Sequence, residues 1–315
     1  MRRTVHVSGE GKHLRCRDAQ VQILHGDKVL GSVPAEDIGL LIVDTAQATY
    51  SHTAVSAILG NGGVVVFCGP DHLPVGIAHP AVGHHAQTER FRVQVESSVP
   101  TRKRLWQQIV RQKIRNQAAI CENEATRKRL ELLAGRVKSG DPSNVEAQAA
   151  KVHWSAYLPE AEGFRRLRDG PFPNSLLNYG YTVMRATIAR SVVAAGFHPA
   201  LGLNHSNRSN PFCLADDLVE PLRPLVDVTV RNLVRRGSRG IEKEEKQELL
   251  SLLTFTCRMK GQSSPLINAL DTMAASLHAC YLGESRELDI PHPHWDLAGD
   301  ARDMAEGESN EEVGL

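Results

Sequence analysis

The sequence predicts an α+β chain in which a small N-terminal β-rich domain precedes a larger all-α domain. Three observations carry this prediction. Short β-prone runs broken by Gly, Asp and Pro crowd roughly the first 80 residues. From about His84 onward, long amphipathic patterns take over. From Gly299 the chain reads GDARDMAEGESNEEVGL, with six acidic residues and almost nothing apolar to bury. The boundaries expected are 1–85, 86–298 and 299–315, the last a disordered acidic tail.

In the first region, Thr4–Val7, Gln20–Leu24, Val29–Ser32 and Leu40–Val43 have strand composition. His25-Gly26-Asp27-Lys28 suits a hairpin turn between two of them. Ser51–Leu59 reads as a short helix capped by Thr49 or Ser51, and Val64–Cys68 as a buried strand. Beyond the boundary, helical patterns run over about 86–118, 121–137, 144–157, 174–195, 214–236 and 242–280. Stop signals such as Gly140-Asp141-Pro142 separate them.

Composition excludes several classes. The chain has 315 residues, 23% charged and 41% hydrophobic, with a net charge of +1, which is ordinary for a globular protein. No apolar stretch approaches membrane-spanning length, and MRRTVHVSGEGKH has no apolar signal-peptide core, so a cytoplasmic protein without a membrane partner is expected. Six cysteines spread singly, with no CxxC pair, argue against a zinc ribbon or a disulfide framework.

Charge is informative locally. TRKRLWQQIVRQKIRNQ carries Arg102, Lys103, Arg104, Arg111, Lys113 and Arg115 with no acid. Arg165, Arg166 and Arg168 form a second basic segment, and Arg231, Arg235, Arg236 and Arg239 a third. Such stripes are the footprint of phosphate-backbone binding, although a basic helix face is often simply solvated.

Two segments could carry chemistry. In GLNHSNRSNPFCLADDLVEPLRPLVD (202–227), His205 lies among polar residues and Asp216, Asp217 and Glu220 follow. If Leu214–Val219 is helical, Asp217 and Glu220 share a face, and Pro221 bends, stops or restarts the helix. One imidazole with two or three carboxylates suits Mg²⁺ or Mn²⁺ better than structural Zn²⁺. The alternative is a solvated loop histidine followed by acids favoured at a helix start. In GDPSNVEAQAAKVHWSAY (140–157), Glu146, Ala149, Ala150, His153, Trp154 and Tyr157 fall on one helical face. Here the alternative is a capping box, Ser143 to Glu146, in which the glutamate reaches back to the cap amide.

These two segments, in this order after a β-rich start, resemble the CRISPR-associated endonuclease/integrase of spacer acquisition (Cas-one family). The resemblance covers about residues 1–290. LWQQIVRQKIRNQAA, SLLNYGYTVMRATIAR and ADDLVEPLRPLVD look most like its type II branch. It implies that Glu146, His205 and Glu220 hold a divalent metal, with Asp217 a second important acid of the catalytic set. Two positions depart from the family pattern: Ala147 stands where Gly is common, and His153 where an aromatic, usually Tyr, is common.

The resemblance further implies a function. Short foreign DNA would be inserted into a CRISPR array by attack of its 3′-hydroxyl on a phosphodiester, for antiviral defence. Residues 1–85 would contribute to a homodimer, and 86–298 would bind DNA and catalyse. The partners expected are protospacer and repeat DNA and a small ferredoxin-like adaptation protein (Cas-two) in a heterohexamer. The large type II effector nuclease is a candidate further partner. A repair nuclease, a non-catalytic nucleic-acid scaffold and a small-molecule metallohydrolase are the competing functions.

Overall fold

A computed structural model describes residues 2–70, 74–159, 163–168 and 170–295. The expected tail, 299–315, lies outside the described residues. The chain divides into two compact units that meet in sequence between His85 and Ala86.

The first unit contains β1 (Arg3–Ser8), β2 (Lys12–Arg17), β3 (Gln20–His25), β4 (Lys28–Pro34), β5 (Ile38–Asp44), β6 (Thr49–Tyr50), α1 (His52–Gly60), β7 (Val64–Cys68) and β8 (Pro74–Ala78). They form two four-stranded sheets, ordered β1-β5-β7-β8 and β4-β3-β2-β6. In the first sheet β1, β5 and β7 are parallel and β8 is antiparallel. The central strand β5, IGLLIVD, is buried throughout, as expected of a strand covered on both faces. β2 and β3 join through Asp18 and Ala19, both at positive φ, and β3 and β4 through Gly26 at φ 59°. Ser51 caps α1 by accepting the Ala54 N–H. Ala54 and Ile58 on α1 pack with Leu14, Ile23, Leu41 and Val65 in one apolar core.

The second unit contains α2 (Gln87–Glu96), α3 (Val99–Ala119), α4 (Glu124–Arg136), α5 (Val145–Ser155), α6 (Asn174–Ala194), α7 (Cys213–Val219), α8 (Arg223–Arg235), α9 (Lys243–Ser251), β9 (Thr256–Met259), β10 (Gln262–Pro265), α10 (Leu266–Leu282) and β11 (His292–Pro293). The pattern expected over 86–118 is two helices, because Ser98 is extended and caps α3 through the Thr101 N–H. The helix expected over 242–280 is corrected more strongly. β9 and β10 interrupt it as a hairpin, turning at Lys260 and Gly261, both at positive φ, and β11 adds a third strand beside β9.

α6 is buried on nearly every side, so it is the centre of this unit. A side chain at Gly180 would meet Val226 Cγ1 at 2.5 Å, so the approach of α6 to α8 depends on that glycine. α7 ends in a 3₁₀ turn, Glu220–Leu222, before α8 starts with Arg223-Pro224. Pro221 and Pro224 each sit in the first turn of a new helical segment, where their missing N–H costs nothing.

Candidate active site

The His205 loop is held from two directions. Gln94 of α2 is buried; its amide donates to the backbone oxygens of His198 and Leu201 and accepts the His198 N–H. Asp217 of α7 is fully buried and takes the N–H groups of Leu203, Asn204 and His205. Its Oδ1 also lies 2.7 Å from His205 Nδ1. Gly202 permits this arrangement, since a Cβ there would stand 2.4 Å from the His205 carbonyl and 2.8 Å from Asp217 Oδ2. The imidazole packs edge-on against Trp106 of α3, ring centroids 5.7 Å apart. The hydrogen bond that the imidazole makes to Asp217 raises its pKa above the usual value, against the opposing effect of burial.

Asp217 therefore orients the histidine and its loop. It is Asp217, not Asp216, that faces inward; Asp216 pairs with Arg185 and accepts from Asn210. The solvated-loop alternative does not describe His205, although its side chain is 43% exposed.

Glu146 and Glu220 meet on a residue that sequence reasoning placed in a basic stripe. Lys113 Nζ lies 2.7 Å from Glu146 Oε1 and 2.5 Å from Glu220 Oε2. Apart from this ammonium, Glu220 Oε2 has no hydrogen-bond partner among the described residues. Arg223 Nε adds a charge 2.9 Å from Glu220 Oε1. Burial acts to lower the Lys113 pKa, but Glu220 and Glu146 outweigh it and hold the ammonium above its usual value. Burial likewise acts to raise Glu220, and Arg223 and Lys113 outweigh it and keep the carboxyl below its usual range.

The capping-box alternative for Glu146 does not hold. Asn144, in the left-handed region at φ 49°, is the cap, and Asp141 accepts the Val145 and Glu146 N–H groups. The Glu146 side chain is free to turn toward α3. Lys113 was legible in retrospect, because it lies seven residues from Trp106 on a helix whose Ile109, Val110 and Ile114 are all buried. A lysine among such residues is directed at an acid.

His153, on the same helix as Glu146, is buried behind the site. Its Nε2 is 3.0 Å from Asp227 Oδ2. Asp227 also accepts from the Tyr181 hydroxyl at Oδ1, and its backbone oxygen takes the Tyr157 hydroxyl at 2.7 Å. Arg223 lies over the Tyr181 ring, 4.6 Å from its centroid, which connects this network to Glu220. Burial and the Asp227 charge push both tyrosines well above their usual pKa.

The donor chemistry fits a hard divalent cation. Two carboxylates gather about one positive charge, one buried oxygen has only that ammonium as its partner, and Asp217 holds Nδ1 of a nearby imidazole, leaving Nε2 for another partner. Among the described residues, no three His, Cys, Asp or Glu side chains lie close enough together to hold one ion; Lys113 bridges the two glutamates. Beside His205 a cleft of about 350 Å³ opens, lined by Gln94, Arg102, Leu201, Asn207 and Tyr281 among others.

The arginines expected to hold DNA have unlike surroundings. Arg104, Arg111 and Arg115 share one face of α3, while Arg102 is on the opposite face, lining the His205 cleft. Arg111 donates to the Val137 carbonyl past the end of α4. Arg166 is engaged by Asn174 and Asn178. Arg235 forms a two-point pair with Glu122, and Arg236 pairs with Glu248. Arg115, Arg165 and Arg168 are exposed and have no ion pair among the described residues.

A family model described as CRISPR associated protein Cas1 matches residues 5–260. The chain is 39% identical over 266 residues to the CRISPR-associated endonuclease Cas1 of Neisseria meningitidis serogroup C, covering 82% of this chain and 86% of that protein. The fold is similar to that of a casposase bound to an integration product, with a TM-score of 0.74 and 18% identity over 92% of this chain and 93% of that one. It is also similar to a chain of a Cas6-RT-Cas1–Cas2 complex, with a TM-score of 0.70 and 18% identity over 92% of this chain and 36% of the other. With the match spanning most of the sequence, the chain belongs to the Cas1 family of CRISPR-associated proteins.

Proposed function

We propose that this chain is a metal-dependent DNA endonuclease and integrase of CRISPR adaptation. It joins the 3′-hydroxyl of a short foreign DNA to a phosphodiester in the repeat of a CRISPR array. The observation that carries this reading is the meeting of Glu146 and Glu220, from distant stretches of sequence, on one cation near an oriented His205. The names of the relatives support it: an endonuclease, and a casposase bound to an integration product.

Glu146, Glu220 and His205 would hold Mg²⁺ or Mn²⁺, which supplies Lewis acidity at the scissile phosphate. Asp217 fixes the imidazole tautomer and leaves Nε2 as the donor nitrogen. Arg102, on the wall of the cleft beside His205, offers a positive charge to a phosphate there. Exposed Arg115, Arg165 and Arg168 are suited to hold the duplex through its phosphates.

The chain works as a homodimer in the cytoplasm, with a Cas2-like partner as in the similar Cas6-RT-Cas1–Cas2 complex. Its sequence resembles the type II branch. Among the described residues no helix is long and apolar enough to cross a membrane.

The test is strand joining by purified protein, its Cas2-like partner, Mn²⁺, a labelled short duplex and a repeat-containing target. Glu146→Ala and His205→Ala should abolish joined product while both variants remain folded. Undiminished joining by either overturns the assignment. Cleavage without joined product would instead identify a nuclease of repair.

A further inference from the structure

Lys113 has a place that the proposed chemistry does not use. It is the buried cation shared by the two glutamates, and it extends from the apolar face of α3. Other bonds already position those glutamates. Asp141 holds the N–H groups at the start of the Glu146 helix. Asn116 of α3 donates to the Pro221 carbonyl at 2.6 Å, which fixes the turn carrying Glu220, and Arg223 reaches Glu220 Oε1. What Lys113 adds to this framework is positive charge. With Arg223 it balances the two carboxylates one for one. A divalent ion brings two further positive charges to the same oxygens, and in a buried site like charges at such range repel strongly.

We propose that Lys113 is a built-in counter-cation, which a divalent ion must displace from Glu146 and Glu220, so that this lysine sets how tightly the site takes its metal. The inference rests on the metal-dependent reading given above. In the metal-free protein the ammonium keeps the two carboxylates gathered. When the ion arrives, the lysine gives up both contacts, and their loss weakens the net affinity. The site is thereby assembled before metal and held to moderate affinity by one residue.

The experiment is Mn²⁺ titration of the full chain by calorimetry, with electron paramagnetic resonance of free Mn²⁺ as a second readout. Wild type is compared with Lys113→Met, Lys113→Gln, Lys113→Arg and Glu146→Gln. The two neutral variants should bind Mn²⁺ about tenfold or more tightly than wild type, from removal of one competing charge. Lys113→Arg, which keeps the charge, should stay near wild type. The neutral variants should also melt at lower temperature without metal and gain more than wild type when Mn²⁺ is added.

Neutral variants that bind no more tightly than wild type overturn the inference while leaving the metal site standing. Mn²⁺ binding that is absent, or unchanged in Glu146→Gln, overturns the metal reading and the inference with it. If neither neutral variant folds even in Mn²⁺, the ammonium is a structural tie and the inference is overturned.

Discussion

Asp217 Oδ1 lies 2.7 Å from His205 Nδ1, and the same carboxylate receives the backbone N–H groups of Leu203, Asn204 and His205. One fully buried side chain thus sets both the shape of the loop and the orientation of the imidazole it presents. Asp217→Ala would leave three backbone donors without their acceptor. A loss of about 3 kcal/mol is expected from breaking such a buried charged network. Urea denaturation measures it, and faster amide exchange confined to residues 203–205 would locate it.

The same pair predicts a pH dependence. The Asp217 hydrogen bond raises the His205 pKa in the folded protein. A pKa raised on folding adds stability in full below the unfolded value, about 6.5, and that increment is lost as pH rises through the folded value. Wild type should therefore exceed His205→Ala in stability by more at about pH 5.5 than at about pH 9. A difference that grows with pH would contradict the pairing.

Gly202 should tolerate no side chain. A Cβ would meet the His205 carbonyl at 2.4 Å and Asp217 Oδ2 at 2.8 Å, and neither a backbone oxygen nor a fully buried carboxylate can withdraw cheaply. Gly202→Ala is expected to lose strand joining by more than about 100-fold, as misplacement of a reacting group by an ångström does. The melting temperature should fall as well, so joining is compared per folded molecule at a temperature well below it. Joining activity equal to wild type would count against the His205 loop as part of the active site.

The buried His153–Asp227 pair makes the opposite prediction. His153→Ala would leave Asp227 Oδ2 without its partner in an enclosed site, at a cost of about 3 kcal/mol. Joining per folded molecule, measured well below the melting temperature, should change little. A selective loss of activity at full stability would instead place His153 in the chemistry of the site.

Among the arginines, the ion pairs separate two classes. Arg115→Ala and Arg168→Ala should weaken DNA binding, each lowering the slope of log K against log salt by about one. Arg235→Ala and Arg236→Ala remove pairs with Glu122 and Glu248, so their effect on that slope should be smaller. Their effect on stability should stay within about 1 kcal/mol, as for exposed pairs. Binding isotherms at several salt concentrations distinguish the two classes.

Much of the fold was legible because local chemistry dictates it. Val64–Cys68 reads as strand from its β-branched run, Ser51 caps α1 through its own hydroxyl, and Gly26 supplies the turn between β3 and β4. The hairpin at Thr256–Pro265 was hidden, since Leu and Met on either side continue a helical pattern and only Lys260-Gly261 signals a turn. The residue types of the site were also on the page: Glu146, His205, Asp217 and Glu220 stand in segments whose polar character has no local explanation as core. By itself, then, the sequence determined the β-rich start and the helical body, the family and the acids and imidazole available for chemistry. Only the tertiary structure decided that Lys113 leaves the basic run to join Glu146, 33 residues away, and that Asp217 serves the His205 loop. Helical spacing says which side chains share a face, but the partner each face meets is fixed by packing between segments far apart in the chain, and that packing sets which charges are buried together.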